Sequence, residues 1–277
     1  MDLISEKEFD EIENKLYLKV GFTKYSKKKV EFLKNPKKPN GVYFQYNNGC
    51  ILFCLINLGY LDENEIPDSM KNYKNHPYTE DEKTYKDYLK RVLSIIDLGQ
   101  LWINLGGISP YKEKGTSKVI ELDEIKKEVY EILKDSIENE NFESVKKALS
   151  IVKNHERFAT VIGNIPIKPI LLSEIMKEGN LNLKNAIDSG IIKENTPIFC
   201  INHYIAFNEI IEENSNKYYI FTDSLPQFYS KIKSEMKDNS EFDEKNGKIK
   251  SNENAALINI IEDSDKKIGI LKLNYLD

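Results

Sequence analysis

The sequence predicts an α+β protein: an apolar helix early in the chain, a long helical stretch, and an antiparallel sheet in the C-terminal part. Three observations carry that prediction. Cys50–Leu58 is a compact apolar run closed by Gly59, where a helix ends on a left-handed residue. Between residues 60 and 157 apolar side chains recur at helical spacing amid charge. Beyond residue 159 the texture changes to β-prone runs punctuated by turn signals.

Taken in order, Glu6–Leu16 predicts a short helix, followed by a lysine-rich loop (Lys27-Lys28-Lys29, Lys37-Lys38) running to Gly41. Val42–Tyr46 is a short β-prone run, and Asn47-Asn48-Gly49 is a turn leading into the Cys50 helix. In Thr79–Leu98 the stripe Tyr85, Tyr88, Leu89, Val92, Leu93 and Ile96 has helical period. Leu98–Gly107 reads as a break followed by a second buried segment, with Trp102 in the core. Leu122–Ile137 and Phe142–Val152 predict two more amphipathic helices. Phe158–Ile162 and Pro166–Leu172 are apolar and strand-like, and Leu181–Ser189 is a short helix ended by Gly190. Pro197–Ile211 reads as one continuous strand, joined through Glu212–Asn216 to a second at Lys217–Thr222. Phe228–Met236 predicts a helix, Lys237–Asn254 a polar loop, and Ala255–Ile261 with Ile268–Leu273 a last hairpin.

Composition excludes several classes. With 40% hydrophobic and 31% charged residues, the 277-residue chain can bury a full core. A net charge of −5 argues against phosphate-backbone binding, which needs a basic surface to release counterions. The lysine run is read as a solvated loop, and Arg91 and Arg157 are the only arginines, so bidentate clamps are scarce. The longest apolar window, Ile51–Leu58, is interrupted by Asn57 and too short to span a membrane. The acidic N-terminus lacks the apolar stretch of an export signal, so a cytoplasmic location is expected. Three cysteines without such a signal do not suggest a disulfide framework. No phosphate-cradling glycine loop occurs, Gly106-Gly107 lacking the Gly-Lys-Ser/Thr that would follow, and no cofactor is expected.

The chemistry concentrates in four residues. Cys50 stands at the first turn of an apolar helix, where the positive end of the helix dipole favours a thiolate. His203 lies in the middle of the predicted strand run and Asp223 at the exit of the next strand. A hairpin would set imidazole and carboxylate roughly opposite each other, the arrangement that lets a histidine serve a sulfur nucleophile. Gln45, five residues before Cys50, offers an amide that with the Cys50 N–H could face a developing oxyanion.

Three stretches, Gln45-Tyr-Asn-Asn-Gly-Cys50-Ile-Leu-Phe-Cys54-Leu-Ile, Ala186-Ile-Asp-Ser-Gly190 … Pro197-Ile-Phe, and His203-Tyr-Ile-Ala-Phe-Asn-Glu-Ile-Ile … Tyr218-Tyr-Ile-Phe-Thr-Asp223, together resemble papain-like cysteine peptidases. Within these they are most similar to the bacterial, bacteriocin-processing branch. There a Gln leads into Cys-Gly-Pro-x-Cys at the start of a helix, and a later His strand leads to an Asp. The resemblance implies a papain-like core in which a catalytic helix packs on an antiparallel sheet. It maps Cys50 to the nucleophile, His203 to the general base, Asp223 to the residue that orients it, and Gln45 to the oxyanion donor. The chain departs from the pattern in three places. Ile51-Leu52 replaces Gly-Pro, the Gln is one residue closer, and Ser rather than Pro follows the Asp.

Each of these residues also has a plainer role open to it. Cys50, Cys54 and Cys200 suit a core, and Cys54 is the reserve nucleophile should the helix begin later. His203 can be a core histidine and Asp223 a turn residue. His76 and His155, in charged surroundings, are read as surface residues. Cys50, Cys54, Cys200 and His203 would also make a zinc set, although two ligands one turn apart on an apolar helix are awkwardly placed.

The expectation is therefore one domain over residues 1–277, with residues 60–157 as a helical insertion. It would act as a cytosolic thiol hydrolase on a peptide or protein substrate, with neither membrane nor nucleic acid as partner. The alternative, motivated by Ile51-Leu52, is an inert papain-fold module that binds a protein partner through the insertion, such as a host or phage inhibitor.

Overall fold

The computed structural model describes residues 4–46, 49–74, 83–156, 165–171, 183–200, 203–213, 215–225, 242–243, 248–250, 255–260 and 270–275. Its class is α+β, with helices filling the first part and a sheet the second. The predicted elements Phe158–Ile162 and Phe228–Met236 lie outside the described residues.

Helix α1, Glu6–Val20, starts where the Ser5 hydroxyl accepts from the Glu8 N–H and ends at Gly21, φ 76°. It runs one turn past the expected Leu16 because Leu16 and Tyr17 prolong its buried stripe. Val42–Tyr46 forms no strand; Tyr43 makes a single bridge to Lys74. Helix α2, Cys50–Asn57, is followed by a short 3-10 turn at Glu63–Glu65 and by α3, Asp68–Lys71.

Helix α4, Tyr85–Asn104, opens with a capping box between Thr84 and Asp87 and runs unbroken through the place where a break was expected. Gly99 lies inside it, and the Tyr111 ring occupies the space that a Cβ would need. Helix α5, Leu122–Leu133, stops short of the expected Ile137; the Ser136 hydroxyl takes up the Leu133 carbonyl at 2.8 Å and starts the separate α6, Ser136–Asn139. Helix α7 is Phe142–His155, and a two-residue ribbon, β1 (Tyr111–Lys112) with β2 (Val119–Ile120), precedes α5.

The main sheet contains β3 (Ile170–Leu171), β4 (Thr196–Cys200), β5 (His203–Glu213), β6 (Asn216–Thr222), β7 (Phe242–Asp243), β8 (Lys248–Lys250), β9 (Ala255–Ile260) and β10 (Ile270–Tyr275). Their spatial order is β3-β4-β5-β6-β10-β9-β8-β7. Neighbours are antiparallel except β3 and β4, which are parallel. The run expected as one strand from Pro197 to Ile211 is two, β4 and β5, paired so that Cys200 faces His203. His203 thus begins a strand instead of sitting in the middle of one. The expected loop Lys237–Asn254 contributes β7 and β8, because edge pairing runs through backbone groups and asks little of the side-chain pattern. The short helix Leu183–Asp188 and the hairpin of β9 and β10 fall close to where they were expected.

Two apolar clusters form the core. The larger joins residues of α1, α2, α4, α5 and α7. The smaller lies between the sheet (Ile198, Phe207, Tyr219, Phe221) and the short helix bearing Ala186 and Ile187. The helices between residues 60 and 157 share one interior with α2, which packs in turn on β4 and β5. Among the described residues no helix is long and apolar enough to cross a membrane.

Candidate active site

Helix α2 is apolar on every side, and seven of its eight residues are buried. Cys50, its first residue, is half-buried and occupies the end that points out of the core. Gly49 precedes it, and a Cβ there would stand 3.0 Å from Leu98 of α4, so glycine allows α4 to approach the helix start closely. The other end is closed by backbone bonds, from Leu58 N–H to the Cys54 carbonyl, Gly59 N–H to Ile56 and Tyr60 N–H to Leu55, with Gly59 at φ 81°.

The β5–β6 register pairs Ala206 with Thr222, which brings the start of β5 beside the exit of β6. His203 and Asp223 meet there, 4% and 1% exposed. A carboxylate can only accept, so His203 Nε2–H donates to Asp223 Oδ1, at 2.7 Å. The Leu225 N–H donates to the same oxygen at 2.7 Å, fixing the carboxylate. Cys50 also acts on the His203 ring and favours its cation, and with Nε2 committed to Asp223 the nitrogen left for sulfur is Nδ1. Burial works against the imidazolium, but the bonds to Asp223 and Cys50 and the negative charge of both outweigh it, pushing the His203 pKa up to about 9.

Gln45 joins this group through the residue after Asp223. Its N–H donates to the Ser224 carbonyl at 2.7 Å, and the Ser224 hydroxyl donates to Gln45 Oε1 at 2.8 Å. Both residues are buried, and with the carbonyl end of the amide held by Ser224 the NH2 end is turned away from it. One dipeptide, Asp223-Ser224, thus orients both the imidazole and the Gln45 amide.

The structure brings all four sequence-derived candidates together: Cys50 to His203, His203 to Asp223, and Gln45 to the neighbour of Asp223. Cys54 is buried one turn along α2, and Cys200 belongs to β4, its backbone paired with His203. His76 lies outside the described residues. His155 is half-buried rather than on the surface, with Nδ1 3.0 Å from the Lys112 carbonyl, because α7 packs its last turn against β1. Trp102 is buried, 2% exposed. The lysine run is solvent-facing, with Lys27, Lys28 and Lys29 paired to Asp123, Glu65 and Glu31 along a cleft of about 670 Å³. Among the described residues no group of three or more His, Cys, Asp or Glu is placed to hold a metal ion.

Sequence reasoning missed Ser224, Asn57, Asn208 and Thr222. The one available signal was Asn57, a polar residue inside an otherwise apolar helix. Its side chain accepts from the Tyr43 N–H at 2.8 Å and donates to the Tyr43 carbonyl at 2.9 Å, fastening the segment that carries Gln45. Comparison of the chain with protein-family models, curated proteins and solved structures finds no match to any of them.

Proposed function

We propose that the protein is a cysteine hydrolase with a papain-like arrangement, acting in the cytosol on a peptide bond or a related amide. The observation that carries this reading is the buried His203, bonded through Nε2 to Asp223 at 2.7 Å, beside Cys50 at the first turn of α2; the raised His203 pKa of about 9 agrees with it. An imidazolium beside a sulfur at a helix N-terminus is the setting in which a thiolate persists at neutral pH. Cys50 Sγ attacks the carbonyl carbon, and the oxygen takes up charge facing the Gln45 amide and the Cys50 N–H. His203 then gives its proton to the leaving amine, the C–N bond breaks, and a thioester to Cys50 remains. Neutral His203 next takes a proton from water, whose oxygen displaces Cys50 and regenerates the ion pair. Asp223 keeps Nε2–H directed toward itself, so that Nδ1 serves the sulfur throughout.

The test is Cys50→Ala against the parent, read by labelling with a thiol-reactive peptide warhead and by hydrolysis of a mixed peptide pool. The variant is expected to lose labelling and to lower hydrolysis at least about a thousandfold. A Cys50→Ala protein that labels or cleaves like the parent overturns the assignment. So does a parent whose Cys50 titrates like a simple thiol near pH ~8.5, the result expected of an inert binding module.

A further inference from the structure

The seven residues of α2 after Cys50 end on Asn57, about 10 Å further along the helix axis. The helix is held mostly by apolar contacts, which favour burial without specifying direction, so hydrophobic packing alone leaves its rotation and axial slide loosely defined. A helix also ends with carbonyls that have no partner inside it. In α2 those of Cys54, Leu55 and Ile56 are taken by the backbone that follows, and that of Asn57 accepts from the Asn208 amide at 3.1 Å.

Asn208 is the extra residue of a bulge in β5, where the register with β6 shifts between Phe207 and Glu209. The bulge frees its side chain to leave the sheet and reach α2. Which end of the amide faces the helix is set by Thr222, whose hydroxyl donates to Asn208 Oδ1 at 2.7 Å and so leaves Nδ2–H for the Asn57 carbonyl. Thr222 directly precedes Asp223. Asn57 in turn grips both backbone groups of Tyr43, two residues from Gln45. The segments that carry Gln45, His203 and Asp223 therefore converge on one polar junction at the end of α2 remote from Cys50.

We propose that Asn208, oriented by the Thr222 hydroxyl, is a positioning residue that sets the Cys50 sulfur against the His203 ring by fixing the last carbonyl of α2. The proposal rests on the thiol-hydrolase reading of that site. It touches no reacting atom and acts only through helix placement, where displacement on the ångström scale lowers rates by orders of magnitude.

The test measures the second-order rate of Cys50 alkylation by iodoacetamide, located by peptide mapping, together with thermal midpoints. The chains compared are the parent, Thr222→Val, Thr222→Ser and Asn208→Asp, with Cys50→Ala as the blank. Thr222→Val keeps the shape and removes the hydroxyl, and alkylation at neutral pH is expected to slow about tenfold. Thr222→Ser restores the hydroxyl and is expected to restore the rate. Asn208→Asp keeps the acceptor for Thr222 but loses the donor to Asn57, and so repeats the test should Thr222→Val fail to fold. A lower thermal midpoint with the parent's alkylation rate overturns the positioning role while leaving the hydrolase reading intact. A parent Cys50 no more reactive than a simple thiol overturns that reading, and the inference with it.

Discussion

His203 is subject to two opposed influences, and the balance between them decides the state of the site. Its desolvation favours the neutral ring, whereas Asp223 and Cys50 favour the cation and prevail, giving a pKa of about 9. The imidazolium is accordingly present below that pH and lost above it. Asp223→Asn removes a charge and a charge-assisted bond, so the ring should titrate at lower pH and the alkaline limb of any Cys50 reactivity should move with it. Proton NMR of the His203 ring hydrogens against pH would follow the change, and an unchanged midpoint would mean that Asp223 is not what holds the cation. Cys50, His203, Asp223 and Gln45 were legible because their residue types and order state a chemistry. Ser224, Asn208 and Thr222 were not, because hydroxyls and amides serve many local roles. Their partners here lie 179, 151 and 14 residues away and are set by a register known only once the sheet forms.

Helix α4 shows how an element can contradict a local signal. Gly99 and the glycine pair at 106–107 suggested a break, yet α4 continues to Asn104 because Gly99 is a contact site rather than a terminator. A Cβ on it would lie 2.8 Å from Tyr111 Cε2 and Oη, and Tyr111 is fully buried and donates to the Ile95 carbonyl at 3.0 Å. Gly99→Ala gains about 1 kcal/mol of helix propensity. Against this stand overpacking of about 1–3 kcal/mol and a buried Tyr111 hydroxyl that loses its acceptor, at about 1–3 kcal/mol more. The expected outcome in urea unfolding is a net loss of about 1–5 kcal/mol, and a variant as stable as the parent would show that Tyr111 does not claim that space. The sheet errors have a related origin. The β4–β5 boundary fell inside an uninterrupted β-prone run, and β7 and β8 arise from polar sequence, so in each case long-range pairing overrode local pattern. The helix starts at Cys50, Leu122 and Phe142 were the features read most closely from sequence alone.

Across the whole molecule, the larger core surrounds ionisable groups that bind α1, α3, α4 and α5 together. Glu13 of α1 accepts from Lys126 at 3.0 Å and Tyr130 at 2.9 Å of α5, and also pairs with Lys24. Although burial raises its pKa, these partners bring it below the ordinary carboxylate value. Asp97 of α4 is different, since the groups bonded to it, Tyr17 Oη and Ser69 Oγ at 2.5 Å each, are neutral. Burial prevails there and lifts its pKa from 3.8 to about 7, with Lys126 opposing and Glu13 adding to the rise. The two acids thus bend the stability curve in opposite directions. The contribution of Glu13 is present above its unfolded value and lost as the pH falls. That of Asp97 is complete below 3.8 and lost as the pH rises through about 7, because above it a buried charge must be kept. The parent's thermal midpoint mixes the two, but its difference from Asp97→Asn isolates one. Asparagine presents one carbonyl oxygen and an uncharged donating NH2 where the protonated acid has its O–H, so near pH ~4 the two proteins should be closest to the relation set by geometry alone. As the pH rises to about 7 the difference should move steadily in favour of the variant, then level off once Asp97 is ionised. A difference that stays constant across that window would mean that Asp97 keeps one protonation state throughout, and that some other group accounts for any fall in stability toward neutral pH.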